Sequence, residues 1–275
     1  MARPDNPDYV EAIERGLGVI RALGAGGRDG MSLARVAEAT GLPRPTARRA
    51  LLTLEALGYV RQDGRAFRLT PRVVELGCAY VDSLGVWDVV RPHLADLVAR
   101  TGESSSLAQL DGGEIVYVGR VSVPKIVSIA VAVGTRIPAV ATSMGRVLLA
   151  DLPTAQRRAA LAAPVASAAR RTPRGRELDR ILTATREQGW AAVDQELAVG
   201  VRSVAMALRE GDGVRALGAV NICVSAAEYG MDELVGELLP LLGEAVAAIE
   251  VDLAARARVP HVVAERDAPA TAASR

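Results

Sequence analysis

Cysteine and histidine are scarce in this chain of 275 residues, which holds two of each. Cys78 and Cys223 stand far apart and neither sits in a CxxC or a Cys/His cluster, which excludes a disulfide framework and a metal site. His93 and His261 belong to no HExxH motif, and GxSxG, P-loop and strand-to-helix GxGxxG patterns are missing as well. Of the carboxylates, Asp194 and Glu196 invite an enzymatic reading, yet neither has a recognisable acid/base partner. The expectation is a protein that is not an enzyme and uses no cofactor.

Long apolar runs are missing too. Half of the residues are hydrophobic, but no stretch approaches the ~18 consecutive apolar residues of a membrane helix. The opening Met1-Ala2-Arg3-Pro4-Asp5-Asn6 has a proline and an aspartate in place of a signal-peptide core. A soluble, cytoplasmic chain with no membrane partner is expected.

Charge is nearly balanced, at +1 overall. The balance hides a basic segment: between residues 43 and 72, Arg44, Arg48, Arg49, Arg61, Arg65, Arg68 and Arg72 face only Glu55 and Asp63. Local structure explains the clustering. Val10, Ile13, Leu17 and Ile20 recur at helical spacing and predict a first helix with these residues on one face. Ser32 is placed to cap a short second helix with Leu33, Val36 and Ala37 inward, and Gly41 to stop it. A third helix over 43–57 turns Ala47, Ala50, Leu51, Leu54 and Leu57 inward, with Pro45 in its first turn. Asp63-Gly64 between the runs 59–62 and 65–69 is a hairpin signal.

Helix, tight turn, helix and hairpin form a winged helix-turn-helix, expected over residues 9–70. Double-stranded operator DNA is the implied partner. Arg44, Thr46, Arg48, Arg49 and Thr53 lie on or beside the outward side of the third helix and suit base edges, while Arg61, Arg65 and Arg68 suit phosphates. A helix over 71–85, with Val73, Leu76, Ala79 and Tyr80 at helical spacing, links this unit to a second one over 86–257. The tail 258–275 is expected to be loose.

The second unit reads as α+β. Helices are expected near 86–101, 143–150, 155–162, 174–188 and 231–257, the last with Leu234, Leu238, Leu241, Leu242, Ala245 and Ile249 as its apolar stripe. Strands are expected near 104–110, 115–121, 126–133, 190–193, 204–208 and 216–224. Such a length of mixed α/β sequence exceeds what a purely architectural DNA protein requires and fits a sensor.

Several segments resemble the IclR family of bacterial regulators. They are Tyr9-Val10-Glu11-Ala12-Ile13-Glu14-Arg15-Gly16-Leu17, Leu33-Ala34-Arg35-Val36-Ala37-Glu38-Ala39-Thr40-Gly41-Leu42-Pro43 and Leu54-Glu55-Ala56-Leu57-Gly58-Tyr59-Val60. In the second unit Gly134-Thr135-Arg136-Ile137-Pro138, Ala141-Thr142-Ser143-Met144-Gly145-Arg146, Gly189-Trp190, and Glu196 ahead of Gly200-Val201-Arg202-Ser203-Val204 continue the likeness. The branch most resembled controls aromatic-acid breakdown through the β-ketoadipate pathway. The resemblance implies a linker helix that helps dimerise, a GAF-like effector domain, a dimer or dimer of dimers, and a small carboxylate effector lying against the sheet.

Matched to this pattern, the implied effector contacts are Thr142, Ser143 and Met144 at a helix start, Asp194, Ser203, Asn221 and Cys223 from the later strands, and Arg136 or Arg146 as added charge. Val204, Val220 and Ile222 are candidates for an apolar wall, although alternation can place Val220 and Ile222 on the other face. A helix N-terminus at 143–145 would favour an anion through its free N–H groups. Ser143 could equally be only a cap, Cys223 only core, and Asn221 only a partner for nearby backbone. Asn221 and Cys223 stand where the family often has smaller hydroxyl residues, which leaves the ligand open.

Overall fold

The computed structural model describes residues 7–27, 29–124, 131–209 and 216–257, so the tail 258–275 lies outside the described residues. The chain divides into two compact units between Leu84 and Gly85. In the first, α1 (Glu11–Ala25), α2 (Leu33–Thr40) and α3 (Arg44–Ala56) pack together beside β1 (Met31–Ser32), β2 (Val60–Asp63) and β3 (Ala66–Leu69). The strands form an antiparallel sheet in the order β1-β3-β2. Val19, Leu23, Met31, Val36, Leu51, Leu54, Val60 and Phe67 fill the core. This unit is a winged helix-turn-helix.

Local chemistry sets the turns. Ser32 accepts a hydrogen bond from the Arg35 N–H at the start of α2, and Gly41 ends that helix at φ 65°, where a Cβ would be strained. Residues 64 and 65 join β2 to β3, as the Asp63-Gly64 signal implies. β1 is an addition to the expected elements, too short for periodicity to reveal.

The apolar stripe predicted on α1 is not the side that it buries, and the burial expected of Leu57 fails. α1 buries Val19 and Leu23, whereas Val10, Ile13 and Leu17 are 57%, 61% and 50% exposed. Both sides of α1 carry apolar residues, and only one side meets the core. Leu57 follows the last turn of α3 and is likewise exposed. The helix α4 (Arg72–Leu84) exposes Val74, Leu76 and Tyr80.

The second unit contains α5 (Trp87–Thr101), β4 (Ser104–Asp111), β5 (Glu114–Val121), β6 (Arg136–Pro138), α6 (Ser143–Asp151), α7 (Thr154–Ala162), α8 (Gly175–Gln188), β7 (Trp190–Asp194), β8 (Val201–Arg209) and β9 (Ala216–Ser225). It ends with α9 (Met231–Glu233), a π-helical turn over Leu234–Leu238, and α10 (Leu239–Ala257). The widened turn precedes Pro240, which lacks an N–H and would collide with the carbonyl four residues back in a regular α-helix.

Its six described strands are antiparallel throughout, in the order β6-β5-β4-β9-β8-β7. α6 lies on one face with α8 behind it, and α5 and α10 cover the other. His93 Nε2 meets Asp252 Oδ2 at 2.7 Å and Arg100 donates to Glu244 at 2.7 Å, so both contacts tie α5 to α10. β6 replaces the strand expected over 126–133: residues 126–130 lie outside the described residues, and 131–133 are not extended in the sheet.

Candidate functional site

The first candidate surface is α3 with the β2–β3 wing. Burial of Ala47, Leu51 and Leu54 turns Arg44, Arg48, Arg49 and Thr53 outward, all four exposed, while Thr46 is half-buried. The first turn of α3 contains no acid. Thr53 Oγ1 donates back to the Arg49 carbonyl at 2.9 Å, which commits its hydrogen within the helix.

The wing arginines differ from one another. Arg61 Nη2 and Arg68 Nε both lie 3.5 Å from Asp63 Oδ2, so one carboxylate is shared between them. Arg65, in the turn, is exposed and pairs with no carboxylate among the described residues. The Gln62 N–H donates to Glu55 Oε1 at 3.1 Å and fastens the wing to α3. Behind it, Arg72 stacks 5.4 Å from the Tyr59 ring centre and donates to the Leu57 carbonyl at 2.9 Å.

The second candidate is a cavity between the N-terminus of α6 and the sheet. Thr142, Ser143 and Met144 line it from the helix side, and Ser203, Asn221 and Cys223 from β8 and β9. Six expected residues therefore meet. Tyr117 and Arg120 of β5, with Val131, Ala141, Val193, Leu197 and Val201, complete the lining and were not expected there. The cavity volume is about 20 Å³, room for about one water, so a ligand larger than that must displace its walls.

Strand register explains the convergence. Ser203 is opposite Cys223, Cys223 opposite Ser104, and Asn221 opposite Ser106, which pairs in turn with Arg120. Val204, Val220 and Ile222 alternate with these residues and belong to the opposite face; none lines the cavity. Gly145 permits the approach of α6, because a Cβ there would lie 2.1 Å from the Ala139 carbonyl oxygen.

Hydrogen bonds fix the donors. Thr142 Oγ1 accepts from the Gly145 N–H at 3.0 Å, so Thr142, and not Ser143, is the cap. Ser143 Oγ and Ser203 Oγ are 2.8 Å apart; one hydroxyl donates to the other, which leaves one hydrogen for a ligand. Asn221 Oδ1 accepts from the Ser106 N–H at 3.1 Å, and Arg120 Nη1 donates to Ser106 Oγ at 3.0 Å. Burial pushes the Cys223 thiol up to about 11 and raises the Tyr117 hydroxyl as well, so both are neutral near pH 7.

Three expected contacts lie elsewhere. Arg146 donates through Nε to the Val140 carbonyl at 2.9 Å and through Nη2 to Glu196 at 2.6 Å, buried beneath α6. Arg136 pairs with Glu114 at 2.9 Å and Asp111 at 2.8 Å. Asp194 accepts from Arg202 at 2.7 Å, which lowers its pKa. Each charge is answered by a neighbour, and none lines the cavity.

A larger groove, about 580 Å³, opens elsewhere in the second unit among Pro138, Val140, Leu161, Val165 and Leu178, with Arg174 at its rim. Its lining is mainly small and apolar and gathers no comparable set of buried donors.

Comparison with known proteins agrees with both halves. Residues 12–64 match the IclR helix-turn-helix domain, and residues 78–251 match the C-terminal part of the bacterial transcriptional regulator IclR. The chain is 35% identical over 240 residues to the Pca regulon regulatory protein of Pseudomonas putida, covering 86% of this chain and 82% of that one. It is 37% identical over 150 residues to the p-hydroxybenzoate hydroxylase transcriptional activator of Acinetobacter baylyi, covering 53% and 55%. Among solved structures, a transcriptional regulator from Rhodococcus sp. RHA1 superposes with a TM-score of 0.77 at 45% identity, covering 89% of this chain and 98% of that one. An IclR homologue from Microbacterium hydrocarbonoxydans, complexed with 4-hydroxybenzoate, shares the fold at 24% identity and a TM-score of 0.76, covering 90% and 99%. With a winged helix-turn-helix, a following antiparallel-sheet domain and a family match over each, this chain belongs to the IclR family of bacterial transcriptional regulators.

Proposed function

We propose that this regulator reads operator DNA through α3 and the wing, and that a small carboxylic acid, aromatic or derived from the breakdown of an aromatic compound, controls it from the α6 cavity. The observation that carries the effector half is the cavity lining: hydroxyl, amide and guanidinium donors meet there, and no carboxylate is among the described lining residues. Ser143, Met144, Ser203, Asn221 and Cys223 are the proposed contacts, with Thr142 holding the helix start. The names of the Pseudomonas and Acinetobacter relatives and the ligand of the Microbacterium homologue support an aromatic acid or its relatives.

On the DNA side, Arg44, Thr46, Arg48, Arg49 and Thr53 face base edges, and Arg61, Arg65 and Arg68 face phosphates. Residues 9–70 form the DNA-binding domain, 71–85 the linker and 86–257 the effector domain. The chain works as a dimer or a dimer of dimers, which gives the exposed apolar residues of α1 and α4 a partner.

Calorimetric titration of the full chain with a panel of aromatic and keto acids, with and without operator DNA, tests this reading. Linkage requires that DNA change the affinity for the true effector by the same factor as the effector changes affinity for DNA. Unchanged effector affinity would remove the regulatory coupling.

A further inference from the structure

We propose that Arg120 is the cation that receives the carboxylate of the effector, and that Ser106 and Asn221 position it; this rests on the effector reading above. Arg120 lies near the end of β5 and lines the α6 cavity. It is half-buried, yet no carboxylate pairs with it among the described residues, and its one hydrogen-bond partner there is Ser106 Oγ at 3.0 Å. Partly buried guanidinium groups are ordinarily paired. Arg146, Arg202 and Arg209 in the same unit all follow that rule.

The sheet makes this exception through an irregularity. Ala108 is opposite Tyr117 and Leu107 is opposite Gly119, so Val118 is an extra residue on β5. The bulge brings Tyr117 and Arg120, three residues apart, onto the cavity, where strict alternation would separate them.

A second group points the same way. Asn221 is 97% buried, its Oδ1 is occupied by the Ser106 N–H, and its Nδ2 donates to no described residue. That bond fixes the amide orientation, leaving two N–H hydrogens beside the cavity. The Cys223 thiol and Tyr117 phenol are neutral, and the buried Glu103 carboxylate, whose charge acts on Cys223 as that of Arg120 does, is not among the described lining residues. One guanidinium, an amide donor and a wall of Met144, Leu197 and Val131 select a carboxylate on an apolar body over its neutral isostere.

The test is calorimetry on the full chain with benzoate and 4-hydroxybenzoate against benzamide and 4-hydroxybenzamide, for wild type, Arg120→Gln, Arg120→Lys and Arg146→Lys. Wild type is expected to prefer acid over amide. Arg120→Gln is expected to lose roughly 10- to 100-fold in affinity for the acids and to keep its amide affinity. Arg120→Lys retains part of the preference as a point charge, and Arg146→Lys retains all of it. A structural role would weaken acid and amide alike. If wild type prefers the acids and both Arg120 variants keep that preference, Arg120 is not the anchor and the effector reading stands. If wild type prefers the amides or binds neither class, the carboxylate reading itself falls and this inference falls with it. Should Arg120→Gln fail to fold, the Arg120→Lys preference decides between these outcomes.

Discussion

Arg146 and Glu196 meet at 2.6 Å with side chains only 4% and 12% exposed, joining the first turn of α6 to the segment before β8. Glu196→Gln leaves the Arg146 charge buried against one carbonyl. Breaking a pair of this kind costs about 3–5 kcal/mol, whereas removing both charges together costs much less. Urea unfolding of Glu196→Gln, Arg146→Met and the double variant checks this; equal loss in all three would show that packing, not charge, holds α6.

Glu114 gives the pH dependence. Burial alone would raise its pKa, but bonds from the Ser167 hydroxyl, Arg136, and the Ser167 and Ala166 N–H groups prevail and hold it at about 2. Since the folded pKa is depressed, the stabilisation is complete above the ordinary value near 4.5 and disappears as pH falls towards 2. A shift of this size corresponds to roughly 3 kcal/mol by linkage. Glu114→Gln is expected to lose stability of that order at pH 7 and to flatten the stability curve between these pH values, followed by urea melts across the range.

Much of this architecture can be read from particular residues. Ser32, Gly41, Pro45 and the Asp63-Gly64 pair act locally, so the helix-turn-helix and wing are legible without tertiary information. Asn221 and Cys223 can be placed on one face by alternation alone, whereas Ser203 joins them only through the pairing of β8 with β9. Arg120 cannot, because the β5 bulge at Val118 breaks the period that would locate it, and a bulge depends on how β4 and β5 pair. Arg136 and Arg146 illustrate the converse: their nearness in sequence to the α6 start suggests ligand charge, while Glu114 and Glu196, distant in sequence, claim them. In α1, spacing marks an apolar stripe at Val10, Ile13 and Leu17 but says nothing of what covers it.

The wing carries a second electrostatic expectation. Asp63 shares its carboxylate between Arg61 and Arg68, and all three are partly or largely exposed, so the pairing contributes little to stability. It does oppose phosphate binding. Asp63→Asn is expected to tighten DNA binding and steepen its salt dependence with the fold unchanged, and Arg65→Ala to reduce the salt slope by about 1. Arg48→Ala and Arg49→Ala, if they remove bidentate base contacts, cost about 1–3 kcal/mol and relax sequence preference. Fluorescence anisotropy over a salt series separates the two classes.

The exposed apolar residues of α1 and α4 supply the test of assembly. Val10, Ile13 and Leu17 share one side of α1, and Val74, Leu76 and Tyr80 are exposed on α4, a helix whose only charged residues are Arg72, Glu75 and Asp82. Leaving these groups in water forgoes roughly 25 cal/mol for each Å² of apolar surface that a partner would cover. A second copy of the chain presents the same faces, as a two-fold interface requires. Leu17→Glu with Leu76→Glu is therefore expected to shift the chain towards monomer and to weaken operator binding, because two half-sites are no longer held together, while each unit keeps its unfolding transition. Sedimentation equilibrium alongside anisotropy reads both effects. An unchanged mass distribution in the double variant would mean that these faces do not mediate self-association.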